Sequence, residues 1–262
     1  MATNLVWKRR IGKAVGWLSR SDARRIVLLY HAVGDGPWAL ATAAFRRQVE
    51  WLAGAARIVA LDALLEPGPH SGLEVALTFD DGYASVQDAA FPVLAAIGAP
   101  ATVYVNTACI AEREVVASEP RLGHYPGESF MRWRDLEALA RAGWTVGSHG
   151  VDHVDFTELP EAQCDDQLRR SRAAIESRLG TDCRHLAYPW GRSTAPLRRR
   201  VAASGYRFAA GGLHGPVREG FDAMAFPRIN VARDCSLDDL EAIVRGDWDY
   251  LGLVQRARSR TA

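Results

Sequence analysis

Short apolar runs alternate with stretches of helical period along most of the chain. The runs at 25–30, 57–61, 75–79, 101–106, 144–146, 185–188, 206–210 and 226–231 are β-rich and bounded by Gly, Pro or charged residues, which predicts short buried strands. Between them, 43–53 sets Phe45, Val49 and Leu52 at helical spacing behind a Thr42 cap, and a brief helix starts at Asp62. Further helices are predicted over 85–97, 133–142, 161–179 and 195–204, ended by Gly98, Gly143, Gly180 and Gly205. Pro92 falls inside the first, and a last helix over 236–244 starts at Ser236. Strand followed by helix, repeated, implies parallel strands with crossover helices, and functional residues at the C-terminal ends of the strands. The expectation is an α/β chain forming one (β/α) barrel domain over 25–250. A basic helical extension, 1–24, precedes it and a loose tail, 251–262, follows. Residues 107–131 show no period and hold Pro120, Gly123, Pro126 and Gly127, which predicts a functional loop walling a cleft.

Composition narrows this picture. The chain has 262 residues, 48% hydrophobic and 24% charged, enough for one sizeable core. A formal net charge of +1 argues against nucleic acid or another polyanion as partner. The four cysteines (Cys109, Cys164, Cys183, Cys235) form no Cys-x-x-Cys pair, so reduced buried thiols are expected. No apolar run reaches the roughly 18–20 residues of a membrane span. Lys8-Arg9-Arg10 precedes the short run 11–18, with no Ala-x-Ala cleavage site after it. Such a basic helix can lie on a membrane surface through Trp7 and Trp17; the plainer alternative is packing on the barrel. The expected location is the cytoplasm, at most touching the inner face of the membrane. Nothing constrains the oligomeric state.

The chemistry gathers at two strand ends. Asp80-Asp81-Gly82 follows the run 75–79, and adjacent acids at the end of a buried strand are costly unless their charge is used. One carboxylate can hold a metal while the other stays free as a base. His149 and His153, in Ser148-His149-Gly150-Val151-Asp152-His153, follow the run 144–146 at i, i+4 spacing. Two His and one Asp leave an open position for water, the arrangement of a catalytic rather than a structural zinc. His31 directly follows the first strand and suits proton donation to a leaving amine near neutral pH.

Thr78-Phe79-Asp80-Asp81-Gly82 and the His149 segment resemble the first two motifs of the polysaccharide deacetylases, the NodB-homology domain of carbohydrate esterase family four. The resemblance runs in order from about residue 26 to about 231. It implies a distorted, incomplete barrel of about seven strands. It also implies Asp80 as general base, with Asp81, His149 and His153 as ligands of a divalent metal, most often Zn²⁺. Most members carry the general-acid histidine in a Leu-x-His segment near the C-terminus. Here Leu29-Tyr30-His31 lies near the N-terminus, similar to the circularly permuted deacetylases of poly-N-acetylglucosamine. The family's third motif, Arg-x-Pro-Tyr, aligns with Ala187-Tyr188-Pro189-Trp190. Trp190 then takes the place whose N–H helps form the oxyanion hole, and the arginine that contacts the base is missing. Arg192 and Arg228 are both candidates to replace it. Tyr83, Tyr125, Trp133 and Trp190 are candidate sugar-stacking aromatics. His70, His124, His185 and His214 fit no ligand pattern. The implied activity is metal-dependent removal of N-acetyl groups from an N-acetylated sugar or polysaccharide. The alternatives are a deacylase of a lipid-linked or small N-acyl sugar or other cyclic amide, and a sugar-binding barrel that has lost its chemistry.

Overall fold

The computed structural model describes residues 2–16, 23–68, 71–118 and 122–259; Trp17 and His70 lie outside them. Eight strands pair in parallel: β1 (Arg24–Tyr30), β2 (Arg57–Ile58), β3 (Leu73–Phe79), β4 (Thr102–Val105), β5 (Thr145–Ser148), β6 (His185–Ala187), β7 (Phe208–Ala210) and β8 (Ile229–Asn230). Their order is β7-β6-β5-β4-β3-β1-β8, with β2 on the edge of β3. The seven expected strands therefore form the main path, and short β2 is an eighth. Among the described residues, the β7 and β8 segments meet through one bridge, Ala210 to Phe226, so the barrel is open there. The run 226–231 splits because Pro227 has no N–H for a ladder; Phe226 turns toward Ala210 while Ile229 pairs with Leu28.

The helices are α1 (Ala2–Val15), α2 (Thr42–Ala55), α3 (Leu61–Leu65), α4 (Phe91–Ala95), α5 (Trp133–Arg141), α6 (Glu161–Leu179), α7 (Ala195–Ala203), α8 (Leu237–Arg245) and α9 (Tyr250–Ser259). The helix expected over 85–97 is a π turn, Val86–Ala90, followed by α4, because Pro92 cannot supply an N–H to a continuous ladder. The stretch expected to be a loose tail holds a helix, α9. Its start is fixed by Asp249, whose carboxylate takes two bonds of 2.9 and 3.0 Å from buried Arg24. Its middle is held by Gln255, which accepts the His214 N–H at 2.7 Å. Helix α1 docks on α8 through a two-point bond of Arg9 to Asp239 (2.6 and 2.7 Å), and Lys8 lies 5.6 Å from the centre of the Trp248 ring. No described helix is long and apolar enough to cross a membrane.

Strand alternation sorts the side chains. Ile26, Leu28, Tyr30, Val75, Leu77 and Phe79 pack into the large core beneath the helices. Val27, Ala76, Tyr104, Ala187, Phe208 and Phe226 form a smaller cluster inside the sheet's curl. Thr78 and Asp80 share the parity of Ala76, so both face the interior, and Asp80 stands at its mouth. Gly147 makes room there: a Cβ would lie 2.7 Å from the Tyr104 ring.

Candidate active site

The register of β1 on β3 pairs Tyr30 with Phe79, which places His31 and Asp80 side by side where the strands end. The Asp80 N–H donates to the Tyr30 carbonyl at 3.0 Å. Arg228, just before β8, meets both oxygens of Asp80 with Nη1 and Nη2 at 2.7 Å each, and all of these groups are buried. Burial alone raises the pKa of Asp80. The Arg228 charge, the His149 ring and the two hydrogen bonds outweigh it and bring the carboxyl down to about 2.

Asp81 would point away from this interior if the strand ran on. Its backbone instead turns into the left-handed region, φ 70°, and brings the second carboxylate to the same mouth. The Tyr83 hydroxyl accepts the Tyr125 N–H at 2.8 Å, and burial together with the nearby Asp81 charge raises its pKa. In Asp81, the carboxylate oxygens differ. Asp81 Oδ1 is buried without a hydrogen bond. That oxygen faces His149 Nε2 at 3.5 Å and His153 Nε2 at 3.4 Å. The other nitrogen of each ring is tied to a carbonyl, His149 Nδ1 to Ala187 at 2.8 Å and His153 Nδ1 to Leu122. Each Nε2 therefore keeps its lone pair toward Asp81. Burial also lowers the pKa of His149 to about 4, which favours the neutral, ligating ring. Three non-glycine residues have positive φ among those described, Asp81, His153 and Trp190, and all three are site candidates. Strain of this kind, of order 1–3 kcal/mol each, persists where the surroundings over-determine it.

The remaining candidates divide. His31 and Tyr125 line a cleft of 330 Å³ with Trp38, Arg233 and Asp234 on the β1–β8 side. Trp190, half exposed, lines a second cleft of 530 Å³ with His153, Asp155 and Arg192 on the β5–β6 side. Arg228 takes the place beside Asp80. Arg192 instead pairs with Asp155 at 2.8 Å on the rim. Two aromatics differ from expectation. Tyr83 is fully buried, stacked on Tyr125 and Phe130, because the chain reverses at Gly82, and it offers no face to a sugar. Trp133 is buried at the start of α5 under Arg178, 5.4 Å from its ring centre, and lines neither cleft. Sequence reasoning missed Trp38, which stacks on Tyr125 at 5.9 Å. It also set aside His124, whose ring is stacked on His153 at 4.8 Å. The available signal was their place: one in the turn after β1, the other in the aperiodic loop.

That loop is held by Gly123, with φ 76°; a Cβ there would stand 2.2 Å from Trp190 Cη2. Gly123→Ala is expected to cost about 1–3 kcal/mol in denaturant unfolding. Gly127→Ala, also at positive φ (82°) but with nothing within 4 Å, should cost only the backbone part, about 1 kcal/mol. Equal losses would show that Trp190 does not press on the loop.

The donor set suits a divalent cation: an orphaned buried carboxylate oxygen faces two imidazoles whose other nitrogens are tied to carbonyls. The model of the family described as polysaccharide deacetylase matches residues 68–209, which include Asp80, Asp81, His149, His153 and Trp190. YxkH of Bacillus subtilis, assigned by name to the same enzymes, is 22% identical over 198 residues, 73% of this chain and 66% of its own length. IcaB from Ammonifex degensii superposes with a TM-score of 0.72 at 24% identity over 86% of this chain and 98% of its own. The Streptococcus pyogenes deacetylase PplD, solved with acetate, gives 0.70 at 17% over 86% and 99%. These likenesses establish the same fold, and the match across more than half of the sequence, carrying both strand-end motifs, means that the chain belongs to the polysaccharide deacetylase family.

Proposed function

We propose that this chain is a divalent-metal hydrolase that removes N-acetyl groups from an N-acetylated saccharide and releases acetate. One observation carries the reading: a ligand-poised carboxylate, Asp81, stands beside a second, Asp80, that Arg228 keeps ionised. Asp81, His149 and His153 would hold the cation, with Zn²⁺ the expected ion. When bound, it supplies Lewis acidity toward the acetyl oxygen and water. Asp80 accepts the proton of the water that attacks the acetamide carbon. The Trp190 N–H, in a residue with left-handed φ of 61°, is the donor to the oxyanion in this reading, a contribution of about 3–4 kcal/mol for such a donor. His31, beside Asp80, protonates the departing nitrogen, giving acetate and a free amine.

The two clefts lie on either flank of β3, one with Trp38 and one with Trp190 partly exposed. Cleft on both sides of the reacting centre suits a chain-like substrate over a small N-acyl sugar or cyclic amide. The reading of a lapsed, sugar-binding barrel rested on the missing motif-three arginine, and Arg228 supplies that contact. Acetate release from N-acetylated sugars, free, polymeric and lipid-linked, is expected to be strongest with the polymer. Chelator should stop it and added zinc should restore it. Release that is indifferent to chelator would sink the metal reading. Release confined to a monomer would sink the chain-like substrate.

A further inference from the structure

We infer that His124 is a fourth protein donor to the cation, so that the site is built from one carboxylate and three imidazoles. This rests on the metal reading of Asp81, His149 and His153. A ring nitrogen of His124 lies within 4.8 Å of the donor atoms of Asp81 and His153, and all three residues are buried. The second observation is the hydrogen bonding behind the ring. Asn106 Nδ2 donates to the His149 carbonyl at 2.6 Å, which fixes the Asn106 amide with its oxygen as acceptor. His124 Nε2 meets that oxygen at 3.1 Å and must carry the proton. The tautomer leaves Nδ1 with the lone pair. His124 thus has one nitrogen tied to an oxygen, as His149 and His153 do.

Two further features place the ring there by construction. Phe130 packs edge-on against it at 4.9 Å while His153 stacks on the other side at 4.8 Å. Leu122, two residues earlier, anchors His153 through its carbonyl, so a single loop turn fixes one imidazole and delivers another. Asn106 joins His149 and His124 across the site, holding His149 by its backbone and His124 by its ring. A set of three imidazoles and one carboxylate selects zinc, cobalt or nickel over magnesium or calcium. It still admits an oxygen as a fifth ligand.

Zinc affinity measured by competition with a chromophoric chelator tests this on the full chain. His124→Gln is expected to weaken zinc by about tenfold or more, and His149→Ala to abolish binding. X-ray absorption on the zinc-loaded parent should count three imidazoles, a result independent of how any variant folds. Parent-like affinity in His124→Gln, or a count of two imidazoles in the parent, would overturn the assignment while leaving the three-residue site standing. A parent that binds no zinc would overturn both, and the parent's own titration separates that outcome from the others.

Discussion

Replacing Asp81 by glycine is expected to abolish zinc binding and acetate release while leaving the ion-free protein at least as stable as the parent. The two halves come from one geometry. Asp81 holds φ at 70°, where a side chain costs about 1 kcal/mol that glycine does not. Its Oδ1 is buried with no hydrogen bond, a penalty of about 1–3 kcal/mol for a polar group left unmade. In chelator, the denaturant midpoint of Asp81→Gly should therefore equal or exceed the parent's. With zinc at about a hundred times its dissociation constant the order should reverse, since the parent alone gains about 2.7 kcal/mol. Asp81→Ala should lose the ion as completely but keep the backbone strain. If Asp81→Gly unfolds far more easily than the parent in chelator, the residue is structural and the metal reading fails.

What could be read from the chain alone follows distance along it. Asp80-Asp81 and His149/His153 are legible because each pair sits in one short segment after an apolar run, and strand direction then sends both segments to one end of the sheet. The partner of Asp80 was undecided between Arg192 and Arg228. Sequence carries no register between residues 148 positions apart, whereas the pairing of β8 on β1 brings Arg228 to the mouth. His124 was hidden because the loop around it has no period; its place depends on Asn106 and Phe130, known only after folding. Tyr83 looked like a sugar platform because it follows the motif. The reversal at Gly82, where a Cβ would stand 2.9 Å from Val105, sends it into the core instead. The C-terminal helix shows the same limit. Its anchor is the long-range pair of Asp249 with Arg24, and local composition alone predicts a tail.

Asp80 and Arg228 supply the other large effect, and they separate chemistry from stability. Asp80→Asn is expected to retain zinc and lose turnover by about 10²–10⁴, the range for removing a general base. It also leaves the Arg228 charge with an amide in place of a carboxylate, so stability should fall. Arg228→Met removes the other half and leaves a buried carboxylate unpaired, a loss of about 3–5 kcal/mol near neutral pH. The double variant should recover much of that stability and none of the activity. The pH dependence fixes the sign. In the parent the folded pKa of Asp80 is about 2 against an ordinary 3.8. Its contribution to stability is present above about pH 4 and is lost as pH falls toward 2. Without Arg228, the same burial that now raises the pKa acts against one counter-charge fewer. The folded pKa then rises above the unfolded one, and ionisation of Asp80 destabilises the fold as pH increases. The stability difference, parent minus Arg228→Met, should therefore grow between pH 3 and 7, and the acid limb of kcat/KM should move to higher pH in the variant. A difference flat across that range, with an unmoved limb, would mean that Arg228 does not set the charge of the base.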